Sequence, residues 1–346
     1  DPLWSRGLGD VYKRQVVFTS GGSESIHLAL MGAAAAMENG SGPRRLVISA
    51  VEHPATLAAA RQLQHQGWIV ATVPVDRQGL LDLNQFADLL GPPTRLVSLI
   101  WGQSEVGAVQ PIAAVGALCR AAGVLLHVDA VQVLGHQAID FDALPVDLLS
   151  GAAHKLQGPR GVGLLLLAPD AALSPLIGGG GQEGGLRSGT EPVPLVSGFA
   201  AALQLAADRL QTAGGRDPLA SFRDQLLDAV LDLPGLQLTG PDPRHNPNQR
   251  LPHHLSLLVS GSGGQPLPGR ALVRELASAG VAVSSGSACS SSGASASPVL
   301  LALGYPEVEA ASGLRLSLGP WLSSGELASV PALIHQAMRR VESREP

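Results

Sequence analysis

The chain has 346 residues, of which 15% are charged and 45% are hydrophobic, and its net charge is −5 at pH 7. This length suffices for two domains with a sizeable buried core. The modest, acidic charge argues against a basic nucleic-acid-binding face and against intrinsic disorder. No apolar run reaches the roughly 18 to 20 residues of a membrane helix, and no secretory signal is recognisable. We therefore expect a globular cytoplasmic protein that binds neither membrane nor nucleic acid.

The two cysteines, Cys119 and Cys289, lie in contrasting surroundings. They are far apart, so a disulfide framework is not expected, which fits a reducing compartment. Cys119 falls inside the apolar helical pattern 112–122 and is expected to be a packing residue. Cys289 falls in the small-residue, polar stretch 284–293 and is a candidate nucleophile. No His or Cys stands at metal-ligand spacing from Cys289, so no metal site is predicted.

Apolar runs and helical patterns alternate from Val16 onward. Residues 1–15 fit neither pattern, and we expect a tag, a fusion join or a truncated start there. The predicted strands are mostly continuous apolar runs, typical of a sheet covered by helices on both faces. In chain order we predict strand 16–19, helix 24–37, strand 45–50, helix 54–66, strand 68–73, helix 84–90, strand 95–101, helix 112–122, strand 124–128 and strand 162–167. The fold class is therefore α/β with a mostly parallel sheet.

The last third of the chain predicts a smaller α+β domain. A glycine-rich loop at 178–185 leads into long helices over 193–232, and the Pro/Asn/Arg-rich stretch 241–252 is interpreted as a linker. After it we predict strand 254–259, helix 269–279, strand 281–284, helix 297–303, strand 314–318 and helix 324–341. We expect a large domain over 16–240 and a small domain over 241–346 that carries the Cys289 loop.

Lysine is almost absent from the chain, with only Lys13 and Lys155. Arginine supplies the other long basic side chains, so the use of lysine at position 155 indicates a chemical role that arginine cannot fill. A desolvated lysine can lose its proton and attach to a carbonyl compound, which arginine cannot do. Asp129 ends a predicted strand earlier in the chain. An amine and a carboxylate, each following an apolar run, are what pyridoxal phosphate requires. The alternative for Lys155 is a solvated loop residue.

Four more residues are candidates for a cofactor site. Gly22 and Ser23 lie in a turn between a strand and a helix, where free backbone N–H groups attract anions. The alternative is an ordinary turn with Ser23 as helix cap. His154 could donate to the same phosphate. His53, at a predicted helix start, could stack on a flat ring and move protons, or could simply be a cap.

Arg315 lies between apolar residues on a predicted strand. A partly buried guanidinium grips a carboxylate with two parallel hydrogen bonds. The alternative is an edge-strand arginine in water.

Taken together, these segments resemble the cysteine desulfurases, pyridoxal-phosphate enzymes of the class V aminotransferase family with fold type I. The resemblance extends from about Val16 to the C-terminus. Its motifs are Thr19–Glu24, Glu52–Pro54, Glu105–Gly107, His127–Gln132, Ala153–Lys155, Arg187–Thr190, Ser284–Cys289 and Arg315–Gly319. Each motif alone is weak, but their order and spacing together are specific.

The resemblance implies a role for each cofactor-site residue. Lys155 would hold pyridoxal phosphate covalently and later move the α-proton of the substrate. Asp129 would pair with the pyridine nitrogen, Gln132 with the ring hydroxyl, and His53 would stack on the ring. The phosphate ligands would be Gly22, Ser23 and His154, together with Thr190 contributed to the partner subunit. A homodimer is therefore implied.

The resemblance also implies the chemistry at the substrate. Arg315 would hold the carboxylate of L-cysteine, and the Cys289 thiolate would attack the substrate sulfur. The products would be L-alanine and a persulfide on Cys289. The longer loop around Cys289 resembles those that pass sulfur to an acceptor protein, as in the branch that serves iron–sulfur cluster assembly.

Three departures from the family pattern accompany the resemblance. Ser104 stands where the family has an asparagine that contacts the cofactor ring, and Ala152 stands where it commonly has a phosphate-binding serine. Each lost hydrogen bond to a charged group is expected to weaken cofactor binding by about 1.5 to 3 kcal/mol. The third departure is the family's N-terminal segment, which the resemblance places before Val16 but which residues 1–15 do not resemble. Two alternatives stay open: another class V lyase or aminotransferase such as a selenocysteine lyase, and a non-catalytic paralogue that binds a sulfur-transfer or scaffold partner.

Overall fold

The computed structural model describes residues 16–37, 42–286 and 296–344. Their backbone divides into two units, which we call the first and the second unit. The first comprises the described residues up to Pro74, Leu81–Trp101 and Pro111–Gly215, and the second comprises Val75–Leu80, Gly102–Gln110 and the described residues from Arg216 onward. The structure thus places the main division at residue 215, where the sequence suggested residue 240.

The first unit is built on a sheet to which the described residues contribute seven strands. They are β1 (Val16–Thr19), β2 (Arg45–Ser49), β3 (Ile69–Val73), β4 (Thr94–Ile100), β5 (Leu125–Asp129), β6 (Leu148–Ala152) and β7 (Gly163–Leu167). Their spatial order is β1-β7-β6-β5-β4-β2-β3. Only β7 runs antiparallel to its neighbours within this sheet. The predicted α/β fold with a mostly parallel sheet is confirmed.

Five helices of the described residues belong to the first unit. They are α1 (Gly22–Ala36), α2 (Pro54–His65), α3 (Leu83–Asp88), α4 (Ile112–Ala122) and α5 (Val193–Thr212). Helix α1 buries Ile26, Leu30 and Ala33, spaced three to four residues apart, against the apolar residues of the sheet. The region predicted as long helices over 193–232 is interrupted after α5. Gly214 and Gly215 have φ values of 70° and 86°, a left-handed conformation that ends a helix.

Strand β6 has no counterpart among the predicted strands. Its second half, Ser150-Gly151-Ala152, consists of small residues with weak strand preference. Packing explains them, because a Cβ on Gly151 would lie 2.7 Å from Cδ2 of Leu134. All five residues of β6 are buried. The strand therefore brings the chain through the middle of the sheet immediately before Lys155.

The second unit contains a three-stranded antiparallel sheet in the order β10-β9-β8. Its strands are β8 (Leu236–Leu238), β9 (His254–Val259) and β10 (Gly313–Ser317), and its helices are α6 (Leu219–Leu231), α7 (Gly269–Ser278), α8 (Pro298–Ala302), α9 (Glu307–Ala310) and α10 (Ser324–Glu342). Leu255, Leu257 and Val259 of β9 are fully buried in its core. The prediction of a strand at 281–284 is wrong, since that segment makes only an isolated bridge between Ser284 and Arg315.

The stretch predicted as a linker, 241–252, is packed into the second unit. Arg250 is 1% exposed. Its guanidinium donates to the carbonyl oxygens of Pro241 (2.6 Å), His254 (3.3 Å) and Thr239. These bonds hold the stretch against β9, so the prediction of a linker is wrong. Among the helices that the structure describes, none has the length and apolar character needed to cross a membrane.

Candidate active site

Lys155 and Asp129 lie at the same edge of the parallel sheet. Strands β5 and β6 run parallel with Asp129 opposite Ser150. Both strands therefore end on one side, and a single 3₁₀ turn over Ala153–Leu156 follows β6 and carries Lys155. Burial raises the pKa of Asp129 to about 6, while the charge of Lys155 acts in the opposite direction. The two residues singled out from the sequence are thus within electrostatic range of each other.

The side chain of Lys155 is exposed in this structure. The sequence interpretation expected a desolvated amine, and that expectation is wrong for the chain as described. The position explains the difference, because the residue lies beyond the end of β6 on a short turn, outside the buried sheet. His154, its neighbour, is exposed as well.

Asp129 is held rigidly beneath this edge. Its side chain is 3% exposed, and Oδ1 accepts a hydrogen bond of 3.0 Å from the backbone N–H of Val131. Its backbone carbonyl accepts from the N–H of Trp101 at 2.9 Å. A buried carboxylate with one backbone donor keeps a strong affinity for a further hydrogen-bond donor or cation.

His53 caps helix α2, as one of the two sequence interpretations proposed. Its Nδ1 accepts a hydrogen bond of 3.1 Å from the N–H of Ala55, so the neutral ring carries its hydrogen on Nε2. Burial lowers the pKa of His53, and the nearby charge of Lys155 lowers it further. The imidazole is therefore neutral at pH 7. This neutral state suits stacking on a flat ring, and the capping bond fixes the ring's orientation.

The turn before α1 has the features of an anion site. The helix begins at Gly22 with Gly21 as N-cap, and no side chain caps it. Ser23 is exposed and is not the cap. Thr19 Oγ1 and Ser25 Oγ lie 2.7 Å apart, and each donates to the carbonyl of Gly21 at 3.1 Å, which fixes the turn. The free N–H groups of a 15-residue helix thus face a turn that the backbone can approach closely.

Gly22 is required by close packing at this turn. A Cβ there would lie 2.8 Å from Cγ2 of Val131 and 3.6 Å from Cβ of Ala152. Ala152 is itself fully buried at the end of β6. The turn before α1, the end of β6 and the segment after Asp129 are thus closely packed.

We expect Gly22→Ala to destabilise the protein by about 1 to 3 kcal/mol, because the added methyl overpacks the turn against Val131. The affinity for pyridoxal phosphate should fall as well, since the helix N-terminus must shift. Denaturant unfolding and cofactor titration measure the two effects. Gly91→Ala is the matched control, since a Cβ at Gly91 meets nothing within 4 Å. Equal behaviour of the two variants would contradict the packing argument.

An ion pair ties this turn to the segment that ends at Thr190. Arg187 Nε donates to Glu24 Oε1 at 2.8 Å, and the other oxygen of Glu24 accepts from the N–H of Ser20 at 2.7 Å. Thr190 is exposed three residues after Arg187. Gln132, half-buried, lies three residues after Asp129.

The second unit holds Ser104 and Arg315 together. Nη1 of Arg315 donates to the backbone carbonyl of Ser104 at 3.0 Å, and Nε2 of His254 donates to the same oxygen at 3.1 Å. Arg315 is half-buried, so it is not the solvated edge arginine of the alternative interpretation. Its guanidinium is oriented by the backbone carbonyl of Ser104. The short Ser104 side chain is not needed for that contact.

Glu105 connects this cluster to a residue near the cysteine loop. Its Oε2 accepts a hydrogen bond of 2.6 Å from Ser297 Oγ. Burial raises the pKa of Glu105, whereas Ser297 and Arg315 act to lower it. Cys289 itself lies outside the described residues. Cys119 is 1% exposed, as expected of a packing residue, and burial raises the pKa of its thiol to about 12.

Two residues of the sites have no role in the sequence interpretation. His254 became visible only because β9 brings it next to Ser104. Glu52 lies in the motif Glu52–Pro54, next to His53. Its signal in the sequence is an acidic residue three residues after a strand with the apolar run Leu46–Ile48.

The fold and the first-unit site define a pyridoxal-phosphate-binding α/β protein. The group fits the residues present: an uncapped helix N-terminus suits its phosphate, a buried carboxylate suits its pyridine nitrogen, and an amine suits its aldehyde. Comparison with known proteins agrees. The class V aminotransferase family matches residues 8–330, and the chain belongs to this family of pyridoxal-phosphate enzymes.

The similar proteins include enzymes named cysteine desulfurase. The cysteine desulfurase IscS of Aeromonas hydrophila is 37% identical over 335 residues, which are 96% of this chain and 79% of that protein. IscS 1 of Archaeoglobus fulgidus is 35% identical over 344 residues, covering 99% and 85%. Among solved structures, a NifS-like protein superimposes with a TM-score of 0.82 at 30% identity, covering 95% of this chain and 83% of that one.

Proposed function

We propose that the chain is a pyridoxal-phosphate-dependent cysteine desulfurase that converts L-cysteine to L-alanine and captures the sulfur as a persulfide on Cys289. The observation that carries this proposal is that Lys155 and buried Asp129 lie at one edge of the parallel sheet, within electrostatic range of each other. The names of its relatives support the substrate.

The first unit would bind the cofactor. Asp129 would hold the protonated pyridine nitrogen, Gln132 the ring hydroxyl, and neutral His53 would lie against the ring. The phosphate would be bound by Gly22, Ser23 and His154. When bound, pyridoxal phosphate draws electrons from the α-carbon of an amino acid, so that its α-hydrogen and β-substituent can leave. Lys155 would supply the amine that anchors the group, and its Nζ would then move the α-proton.

The second unit would act on the substrate. Arg315, held by the Ser104 carbonyl, would bind the cysteine carboxylate. The Cys289 thiolate would attack the sulfur of the substrate. A sulfur–sulfur bond forms on Cys289 while the carbon–sulfur bond of the substrate breaks. The substrate carbon gains a proton and leaves as L-alanine, so atoms and charge balance.

The setting of this activity is part of the proposal. A homodimer would place Thr190 in the phosphate site of the partner subunit, and exposure of Thr190 in the single chain is compatible with this. The persulfide would pass to an acceptor protein such as an iron–sulfur cluster scaffold. A cytoplasmic location would keep the thiol of Cys289 reduced between turnovers.

The decisive experiment supplies the protein with pyridoxal phosphate and L-cysteine and measures alanine, sulfide released by reductant, and the mass of each cysteine peptide. We expect alanine formation and one added sulfur on Cys289. Cys289→Ala should lose both, while Cys119→Ala, the matched control, should keep both because Cys119 is buried. Alanine formation that persists without Cys289 would overturn its role.

The same assay separates the alternatives. Preference for selenocysteine over cysteine would indicate the lyase. Loss of the cofactor on dialysis together with no turnover would indicate the non-catalytic paralogue suggested by Ser104 and Ala152.

A further inference from the structure

Glu52 is a fully buried carboxyl group in the first unit for which the proposed chemistry has no use. It follows β2 by three residues and is 3% exposed. Its oxygen Oε1 accepts three hydrogen bonds: from Ser49 Oγ at 2.5 Å, from Ser49 N at 3.3 Å and from Ile100 N at 3.0 Å. It thus joins the ends of β2 and β4.

The two carboxyl oxygens of Glu52 differ in the number of hydrogen bonds that they accept. All three donors point to Oε1, while Oε2 is buried and has no hydrogen-bond partner among the described residues. An ionised carboxylate accepts on both oxygens, and leaving one bare in the interior is costly. A neutral carboxylic acid avoids burying that charge, at the smaller cost of one O–H group without an acceptor among the described residues. The unequal hydrogen bonding therefore favours the neutral acid.

Burial, assisted by the neighbouring Asp129, keeps this acid neutral. Ile100, which donates to Glu52, is paired with Asp129 in the register of β4 and β5. Burial raises the pKa of Glu52 to about 8, and the charge of Asp129 acts in the same direction against the hydrogen bonds from Ser49 and Ile100. Lys155 acts on Asp129 and on His53 from the turn after β6.

We propose that Glu52 is a positioning residue that works as a neutral acid, joining the ends of β2 and β4 beside Asp129 so that Asp129 is the one anion presented to the pyridine nitrogen. Ionised Glu52 would be a second buried anion without a cation of its own. Neutral Glu52 keeps its three hydrogen bonds, one of which fixes the backbone of Ile100, the strand neighbour of Asp129. The proposal rests on the cofactor assignment made under the proposed function.

Stability of the full chain without cofactor tests the protonation state. Below pH 4.5, the ordinary pKa of a glutamic acid, Glu52 is protonated in both the folded and the unfolded chain. Between about pH 4.5 and pH 8, Glu52 releases its proton only in the unfolded chain. Glu52→Gln cannot titrate. The unfolding equilibrium constant of the wild type should therefore rise relative to that of Glu52→Gln by up to tenfold per pH unit across this window, and level off above it. Denaturant titrations from pH 5 to 9 measure the ratio. If the ratio of the two unfolding constants does not change with pH, Glu52 is not a neutral acid in the folded chain.

Cofactor titration tests the positioning role. At pH 7, Glu52→Gln should bind pyridoxal phosphate within about threefold of the wild type, because the amide oxygen accepts the same donors. Glu52→Ala should bind at least about tenfold more weakly, since the donors of Ser49 and Ile100 lose their acceptor. Ser49→Ala, which removes one side-chain donor, should fall between them and serves if the alanine variant does not fold. Wild-type affinity in both alanine variants, or equal losses in Gln and Ala, would overturn the positioning role. Failure of the wild type to bind would instead count against the proposed function.

Discussion

Replacement of Lys155 by arginine is expected to abolish turnover of L-cysteine, with a loss of at least about 10³-fold, because proton transfer by a positioned group alone contributes about 10² to 10⁴-fold. Arginine keeps the positive charge that acts on Asp129 and His53. It cannot lose its proton at neutral pH, so it can neither anchor the cofactor covalently nor move the α-proton. The loss therefore reports the amine and not the charge.

Borohydride reduction followed by peptide mass mapping checks this prediction directly. In the wild type, the mass of the reduced cofactor should appear on the peptide that contains Lys155 and be absent from the arginine variant. Arg160→Lys is the matched control: it places a new lysine five residues away at an exposed position, and it should neither take the label nor change turnover. Label on a residue other than Lys155 in the wild type would refute the assignment.

Many strands and two site residues of the first unit can be predicted from hydrophobic periodicity and residue chemistry. Strands β2, β4 and β5 each contain several buried apolar residues, and the local pattern alone identifies them as strands. The scarcity of lysine and the acidic end of β5 singled out Lys155 and Asp129. The chemistry that pyridoxal phosphate requires grouped the two residues, whereas sheet geometry could not, because β6 was not among the predicted strands.

The features that were missed depend on contacts distant in sequence. Strand β6 carries a glycine because Leu134 and Leu164 leave no space for a Cβ, and no local pattern encodes that packing. Arg250 looks like a solvated residue of a Pro/Asn-rich linker, yet three carbonyl groups bury its guanidinium. Such a residue is recognisable only after the backbone around it has been placed.

The exposure of Lys155 has a similar cause. Its chemistry was inferred from composition, but solvent access is decided by the length of the turn after β6. That turn is a single 3₁₀ turn, ended by Gln157 with a φ of 67°. Nothing in the residue types of the turn indicates how far it carries the side chain from the sheet.

Asp129→Asn is expected to weaken the binding of pyridoxal phosphate by at least about 10²-fold, because removing one partner of a buried charged pair costs about 3 to 5 kcal/mol. The asparagine can still accept the hydrogen bond from Val131 N–H, so the local backbone is retained. What is lost is the charge that would stabilise the protonated pyridine nitrogen. Cofactor titration at pH 7 measures the loss, with Asp170→Asn, an exposed residue, as the matched control.

The same substitution is expected to stabilise the chain without cofactor. The pKa of Asp129 is raised from 3.8 to about 6 by burial, so the folded state holds the proton more tightly than the unfolded state. Wild-type stability therefore falls as pH rises from about 4 to 6, by about 3 kcal/mol in all at 1.36 kcal/mol per pKa unit. The amide introduced by Asp129→Asn does not titrate, so the variant should be the more stable protein at pH 7 and should lose this advantage below about pH 4. A residue that merely supported the fold would weaken stability and cofactor binding together. Opposite signs in the two measurements would show that the buried charge of Asp129 is maintained, at the expense of the fold, for the cofactor.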